Sequence, residues 1–190
     1  MLAEIPDWEQ LRLLEAMQTI EQLLTPDFKY SEPFILRSHA PGDIGWIINK
    51  HGMLYSREYG WDERFEAAVS QIADDFIHNY KPKKEHCWIA EMSGENVGSI
   101  VLAQENDTTA KIGLLIVDPK ARGVGLGSRL VEEAIRFARR AGYQKIVLWT
   151  NHVLIAARNI YRNKGFQLVY EEEHSNFGPK LTGETWELQL

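Results

Sequence analysis

The chain has 190 residues, of which 44% are hydrophobic and 25% charged, a balance typical of a globular domain that can bury a core. The net charge of -6 at pH 7 argues against nucleic-acid binding, which needs a basic surface, and is compatible with a cationic substrate. No apolar run approaches the roughly 20 residues of a membrane span. Because Cys87 is the single cysteine and we see no signal-peptide pattern, we expect a cytoplasmic protein.

The first predicted element is an amphipathic helix over residues 1–24. Its apolar residues recur at helical spacing and include Leu13, Ala16, Met17 and Ile20. A linker with two prolines follows, so we divide the chain into residues 1–30, a helix with its linker, and residues 31–190, the main domain.

The main domain is predicted to alternate between strands and helices. We expect a strand at 34–37, helices at 41–57 and 62–80, a hairpin at 87–103, a strand at 110–117, a helix at 125–141, a strand at 146–149, a helix at 155–163, and strands at 167–170 and 185–190. The aromatic stretch 55–61 is predicted to be a loop. This order indicates an α/β or α+β domain around a mixed sheet.

The most informative segment lies between the strand that ends at Val117 and the helix that follows it. It consists of Arg122, Gly123, Val124, Gly125, Leu126, Gly127 and Ser128. Glycines allow a backbone to approach an anion closely, a helix start offers unpaired N–H donors, and an arginine adds a bidentate positive charge. The segment therefore predicts a phosphate or pyrophosphate site. The alternative is a tight structural turn; P-loop and dinucleotide fingerprints fit poorly, because neither the lysine of the first nor the spacing of the second is present.

Two sequence blocks in order resemble the GCN5-related N-acetyltransferase (GNAT) superfamily. The first is Arg-x-x-Gly-x-Gly between a strand ending in Val-x-Pro and an amphipathic helix. The second comprises Ala157, Tyr161, Gly165 and Phe166. The order of elements from residue 34 onward also follows the family, so the resemblance spans about four-fifths of the chain. It implies a mostly antiparallel mixed sheet flanked by helices.

The resemblance also implies a function: transfer of an acetyl group from acetyl-CoA to an amine-bearing small molecule or peptide, by direct attack of the amine. Backbone groups of Leu115, Ile116 and Val117 would pair with the pantetheine arm. The side chain of Arg122 and the amides of residues 123–128 would hold the pyrophosphate. Tyr161 would protonate the departing thiolate, and no metal is implied. From the residues alone, a half-buried core residue is the favoured interpretation of Tyr161.

The chain departs from the family pattern at two places. The strand 111–117 has no glutamate, and Leu154 stands where relatives often have an asparagine. The general base therefore stays open, and the candidates are Glu58, Asp62, Glu63, Glu91 and His152. The stretch 51–61 could form the wall of the acceptor pocket or an aromatic cluster that joins two helices. The acidic run 171–173 could attract a cationic acceptor or be a solvated strand end.

The first helix and the segments 37–43 and 51–52 resemble the acetyltransferase half of proteins fused to a MarR-type regulator. The recognition helix and wing of such a regulator are not present, so DNA binding is not implied for this chain. The helix could instead pack on the domain or on a second copy, which would give a homodimer. The alternative to an enzyme is a non-catalytic module that senses acyl-CoA, left from such a regulator.

Overall fold

The computed structural model describes residues 34–190 without a gap, and five positions before them. The chain divides into two compact units, Met1–Glu32 and Pro33–Leu190. In the first unit, the described residues are all helical: Glu9, Leu13, Ala16, Met17 and Ile20. The other positions of the helix predicted over 1–24 lie outside the described residues.

The second unit contains seven strands and four α-helices. In chain order they are β1 (Ile35–Ser38), α1 (Asp43–Tyr59), α2 (Glu63–Asn79), β2 (His86–Met92), β3 (Glu95–Gln104), β4 (Thr109–Val117), α3 (Leu126–Arg140), β5 (Lys145–Asn151), α4 (Ile155–Asn163), β6 (Gln167–His174) and β7 (Leu181–Gln189). A short 3-10 turn, Pro119–Ala121, precedes α3.

All seven strands form one sheet in the order β1-β2-β3-β4-β5-β7-β6. Neighbouring strands are antiparallel except β4 and β5, which run parallel. A parallel pair needs a crossover connection, and α3 provides it. The predicted fold class, a mixed and mostly antiparallel sheet flanked by helices, is confirmed.

Helices cover both faces of the sheet. Ile47 of α1 and Phe76 of α2 pack with Ile89 of β2 in one apolar core. Leu130 of α3 and Tyr161 of α4 belong to a second core on the other face. Because the central strands are covered on both sides, they read as continuous apolar runs in the sequence.

A network of charged side chains ties the first strands to α1. The Arg37 guanidinium donates to Asp43 at 2.6 and 3.1 Å, to Glu91 at 2.9 Å and to Asn96 at 2.9 Å. Asp43 is buried, and its hydrogen bonds with Arg37 lower its pKa to about 2. This network fixes β1, α1, β2 and β3 relative to one another.

The prediction of a loop over residues 55–61 was wrong for residues 55–59. Residues up to Tyr59 belong to α1, which ends at Gly60. Gly60 adopts a left-handed conformation, and its N–H donates to the carbonyls of Tyr55 and Ser56, so a glycine C-cap sets the helix end. The aromatic side chains therefore project from helical backbone, where tertiary packing outweighs their weak helix propensity. The hairpin predicted around residues 93–96 is confirmed, with its turn at Ser93 and Gly94.

Candidate active site

The strands β4 and β5 separate near the middle of the sheet. Their parallel pairing runs from Thr109 opposite Lys145 to Ile112 opposite Leu148, although both strands continue beyond these residues. In the β3–β4 ladder the register shifts at the same level and leaves one extra residue in β4, an arrangement that bends a strand. A cleft therefore opens between the C-terminal halves of β4 and β5.

The backbone of the C-terminal half of β4 borders this cleft. Leu115, Ile116 and Val117 are in register with β3 on one side. On the other side, the described part of β5 offers them no ladder partner. Because successive residues of a strand direct their backbone groups to alternate edges, part of this edge can accept an extended ligand. The three residues predicted to bind pantetheine thus lie on the open edge.

The loop after β4 has the backbone geometry of an anion site. Gly123 and Gly125 have φ values of 79° and 84°, which residues with a side chain rarely adopt. No atom of the described residues lies within 4 Å of a Cβ built at either position, so the glycines are required there by backbone conformation and not by packing.

The start of α3 supplies donors for an anion. Among the described residues, no side chain caps α3, and its first backbone bond runs from the Arg129 N–H to the Gly125 carbonyl at 3.0 Å. The amides of Leu126, Gly127 and Ser128 precede this ladder and have no helical acceptor. Together with the positive end of the helix dipole they fit the pyrophosphate of acetyl-CoA.

Gly127 allows α4 to pack against the loop. A Cβ at this position would lie 2.9 Å from Ile160 Cδ1 and 3.6 Å from Val117 Cγ2. Ile160 thus brings α4, the helix that carries Tyr161, against the start of α3. A side chain at position 127 would therefore displace the end of the Ile160 side chain, whereas positions 123 and 125 are restricted by backbone conformation.

Tyr161 is buried, with 5% of its surface exposed, and its ring lies 5.7 Å from that of Phe166. Burial raises the pKa of Tyr161 above its ordinary value of 10.0, with a Coulombic contribution from Tyr55. The phenol therefore keeps its proton at neutral pH and can donate it. The same shift makes it a weaker acid, so donation to a thiolate of pKa about 8.5 requires the thiolate to be desolvated as well.

The side chain of Arg122 makes a bidentate pair with Glu58. The two Nη atoms lie 3.0 and 2.8 Å from the carboxylate oxygens, and Nε donates to the Val117 carbonyl at 3.2 Å. The hydrogen bonds with Glu58 raise the pKa of Arg122. A pyrophosphate bound by this guanidinium would have to compete with Glu58. Sequence reasoning missed the pair, because 64 residues separate its members and no local spacing relates them.

The aromatic residues after His51 pack on one another. The ring centroid of Tyr55 lies 4.9 Å from that of Trp61 and 4.6 Å from that of Phe65. The ring centroid of Trp61 lies 5.0 Å from that of Phe177, in the β6–β7 loop. Trp61 is 3% exposed. The cluster joins α1, α2 and the β6–β7 loop, which agrees with the packing alternative. It also carries Tyr55 and Tyr59 to the end of α1 that faces the glycine loop.

Four of the five candidate bases are either exposed or hydrogen-bonded to another group; three of them are carboxylates, and the fourth is His152. Asp62 caps α2 and pairs with Arg64 at 2.6 Å. Glu91 pairs with Arg37 in the network described above. Glu63 is exposed on the first turn of α2.

His152 is also engaged, because its Nδ1 accepts the Thr182 N–H at 3.0 Å. His174, which sequence reasoning did not consider as a base, is held on both ring nitrogens. Its Nε2 lies 2.7 Å from Asn151 Oδ1, and its Nδ1 accepts the Asn176 N–H at 3.2 Å. Glu58 is therefore the candidate base that the structure places beside the glycine loop, through its contacts with Arg122.

The described residues contain no group of three or more His, Cys, Asp or Glu side chains arranged to hold a metal ion. None of the helices among them is long and apolar enough to cross a membrane.

Comparison with known proteins identifies the family. A family model described as "Acetyltransferase (GNAT) family" matches residues 52–166, which include the open edge of β4, the glycine loop and Tyr161. The chain belongs to the acetyltransferase (GNAT) family. The family predicted from the two sequence blocks is thereby confirmed.

Curated relatives of this GNAT chain include an N-acetylaspartate synthetase from Danio rerio, 36% identical over 170 residues, which cover 83% of this chain and 58% of the relative. Human N-acetyltransferase 8B is 28% identical over 113 residues, or 56% of this chain and 50% of the relative. The chain therefore spans only about half the length of these relatives.

Solved structures share the fold at low sequence identity. A putative acetyltransferase, yncA, from Salmonella typhimurium, solved with its cofactor acetyl-CoA, has a TM-score of 0.65 at 19% identity, covering 83% of this chain and 94% of that one. A putative phosphinothricin N-acetyltransferase has a TM-score of 0.68 at 17% identity, with 83% and 99% covered. These likenesses support the fold.

Proposed function

We propose that this chain transfers the acetyl group of acetyl-CoA to a primary amine, which attacks the thioester directly while both substrates are bound. The observation that carries the proposal is the combination of three features: the open edge of β4, an uncapped helix start behind two left-handed glycines, and a buried tyrosine on α4, the helix that packs against that start. Membership of the GNAT family supports the same conclusion.

The residues have distinct roles in this proposal. Backbone groups of residues 115–117 pair with the pantetheine arm and extend the thioester along the cleft. The amides of residues 123–128 bind the pyrophosphate, joined by the Arg122 side chain once it leaves Glu58. Holding the amine and the thioester together supplies much of the rate. Tyr161 gives its proton to the departing thiolate.

For the acceptor, we propose a small molecule or peptide that carries a primary amine. One relative is named N-acetylaspartate synthetase, so aspartate belongs among the first amines to test. The net charge of -6 instead favours cationic acceptors such as polyamines or lysine side chains. An acceptor panel should therefore contain both kinds.

We propose further that residues 31–190 form the catalytic domain and that residues 1–30 precede it as a helix and linker. A homodimer stays a prediction of the sequence. The likeness to the acetyltransferase half of MarR-type fusions, the acyl-CoA-sensing alternative and the cytoplasmic location stay predictions of the sequence.

The first experiment is a thermal-shift titration with acetyl-CoA. A ligand at about 100 times its Kd stabilises the fold by about 2.7 kcal/mol, which corresponds to a rise in Tm of about 5–11 °C for a chain of this size. Gly125→Glu should abolish the shift, because it places a carboxylate in the anion site.

The matched control is Gly142→Glu, at the opposite end of α3. Gly142 also has a left-handed φ, 82°, and nothing in the described part of the chain lies within 4 Å of a built Cβ, so the two variants carry similar backbone strain. Folded native protein that shows no shift with acetyl-CoA would refute the proposal.

Turnover is tested next, by measuring the release of CoA in the presence of each amine of the panel. Tyr161→Phe separates an enzyme from a sensor, since it should lower kcat about 100-fold and leave acetyl-CoA affinity unchanged.

A further inference from the structure

Strands β5, β7 and β6 carry two rows of side chains on one face of the sheet. In the first row, Asn151 of β5 lies opposite Gly183 of β7, and Gly183 lies opposite Glu172 of β6. Residues that oppose one another on neighbouring strands direct their side chains to the same face. The second row is built in the same way. We call the two rows the β5–β6 surface, and its residues are Asn151, Gly183, Glu172, Trp149, Thr185 and Tyr170.

The β5–β6 surface lies on the side of the sheet that carries the aromatic cluster, and it begins at the cleft. His174 comes two residues after Glu172 in β6 and therefore points to the same face. Its ring centroid lies 5.4 Å from that of Trp149 and 5.6 Å from that of Phe177, which belongs to the cluster. The pairing of β5 with β4 ends one residue before Trp149, so this side chain stands on the β5 wall of the cleft. From there the surface extends outwards to β6, the last strand of the sheet.

Asn151 offers a hydrogen-bond donor at the inner end of this surface. The residue is 1% exposed. Nδ1 of His174 accepts the Asn176 N–H at 3.2 Å, so Nε2 carries the hydrogen of the neutral ring and donates to Asn151 Oδ1 at 2.7 Å. The side-chain amide is thereby held in one orientation, and its Nδ2 has no acceptor within residues 34–190. Because a buried donor without an acceptor is costly, this amide indicates that a bound molecule completes the site.

The indole of Trp149 forms the middle of the surface. A Cβ built at Gly183 would lie 2.7 Å from Trp149 Cζ2, so the ring lies against the backbone of β7, between Asn151 and Glu172. Tyr170, in the second row, is 58% exposed. The faces of tryptophan and tyrosine rings attract ammonium groups. The surface therefore suits a ligand that carries an alkylammonium group.

Glu172 gives the surface a negative charge that no neighbour neutralises. Glu173 pairs with Lys180 at 2.9 Å, and Glu187, further along β7, pairs with Lys145 at 2.8 Å. Glu172 is exposed, and no lysine or arginine in the described part of the chain makes an ion pair with it. A molecule on this surface thus meets aromatic faces and one free carboxylate, which together stabilise a positive charge.

We propose that the β5–β6 surface selects an acceptor with two amino groups. One of them reacts in the cleft, and the other, as an ammonium group, lies on the aromatic rings and pairs with Glu172. Because β5 and β6 are separated by two strand spacings, or about 10 Å, nitrogen atoms about that far apart fit best. The proposal rests on the proposed function and names its acceptor class, a diamine or polyamine. The distant ammonium group keeps its proton and takes no part in making or breaking bonds.

The test compares the acceptors spermidine, putrescine, butylamine and aspartate on native protein and on Glu172→Gln, with acetyl-CoA at saturation. Spermidine has the longest separation between its terminal nitrogens, putrescine a shorter one, and butylamine has no second charge. We expect native protein to show the highest kcat/KM with spermidine, an intermediate value with putrescine and a lower one with butylamine. Aspartate should be the poorest acceptor, because Glu172 repels its carboxylates.

For Glu172→Gln, kcat/KM with spermidine should fall by about 3- to 10-fold, mainly through a higher KM, because one exposed ion pair is lost. The value for butylamine should stay within about twofold, since this amine has no second charge to lose. A purely structural effect would lower both values together, and thermal melts of the variant check its fold.

The matched control is Glu171→Gln, which makes the same change of charge one residue earlier in β6. Glu171 lies on the opposite face, because its ladder partner Glu184 is bonded to Arg158 of α4. This variant should leave kcat/KM for spermidine and for butylamine within about twofold of the native values. The comparison separates a contact with Glu172 from the net charge of the chain.

The outcomes distinguish this inference from the function on which it rests. If native protein acetylates butylamine or aspartate as well as spermidine, the selection of a second amino group is refuted and the acetyltransferase proposal stands. The same holds if Glu172→Gln and Glu171→Gln change kcat/KM for spermidine equally. If folded native protein binds no acetyl-CoA, or releases no CoA with any of these amines, both proposals are overturned.

Discussion

The pair between Arg158 and Glu184 allows a quantitative test of how α4 is held on the sheet. Glu184 of β7 is 1% exposed, and its Oε2 accepts from Arg158 Nε and from Trp186 Nε1, both at 2.9 Å. Within the described residues, its Oε1 has no hydrogen-bond partner. Replacing Arg158 with leucine would leave a buried carboxylate with one donor.

Breaking a buried ion pair by removing one partner costs about 3–5 kcal/mol. Because 23% of the Arg158 side chain is exposed, water can replace part of the lost contact. We therefore expect Arg158→Leu to lower the free energy of unfolding by about 3 kcal/mol, or the Tm by about 6–12 °C. Urea unfolding and thermal melts followed by circular dichroism measure both quantities.

A second substitution identifies the cause. Glu184→Gln removes the charge and keeps an acceptor for Trp186, so Arg158→Leu/Glu184→Gln should regain more than half of the lost stability. Arg139→Leu, at an exposed position of α3, controls for the change of residue type and should cost at most about 0.5 kcal/mol. The reasoning is refuted if Arg158→Leu costs less than 1 kcal/mol, or if the double variant is no more stable than the single one.

Three further predictions concern acid sensitivity and packing. The folded pKa of Asp43, about 2, lies below its ordinary 3.8; its stabilisation of about 2 kcal/mol is complete above pH 4 and is lost as the pH falls towards 2. Asp43→Asn should therefore be less stable than native protein at pH 6 by urea unfolding, with a difference that shrinks below pH 4. Burial lowers the pKa of His51 from 6.5 to about 4. The contribution of the neutral ring to stability is therefore complete above pH 6.5 and is lost as the pH falls towards 4. An NMR titration of His51 with a midpoint near 6.5 would contradict this prediction. Gly127→Val should cost about 1–3 kcal/mol through its contact with Ile160, and Ile160→Ala in the same chain should restore part of that stability in thermal melts.

Much of the fold could be predicted from local patterns. The helix α3 has an apolar face at spacings of three and four residues and begins directly after glycine, so its type and position follow from periodicity and capping. The hairpin of β2 and β3 follows from a turn sequence between two apolar runs. The end of α1 could not be predicted in this way, because Tyr55 in its last turns packs on Trp61, and Trp61 packs on Phe177, which is distant in the sequence.

The candidate site could likewise be predicted only in part. The glycine loop and Tyr161 were identified from motifs, since a left-handed turn before a helix restricts the residues that the backbone accepts. The opening between β4 and β5 depends on a bulge in the register with β3, which no single segment encodes. That the departing strands leave a cleft could be seen only once the sheet was assembled.

The sequence by itself therefore determined the family, the order of most elements and the loop that is proposed to bind an anion, because each rests on contacts or conformations within a few neighbouring residues. The tertiary structure decided which carboxylate stands beside that loop. Glu58 reaches Arg122 across 64 residues, and the other four candidates lie elsewhere or have partners of their own. Long-range ion pairs have no local signature, since charged side chains at the surface are solvated in most arrangements and the folded chain selects one.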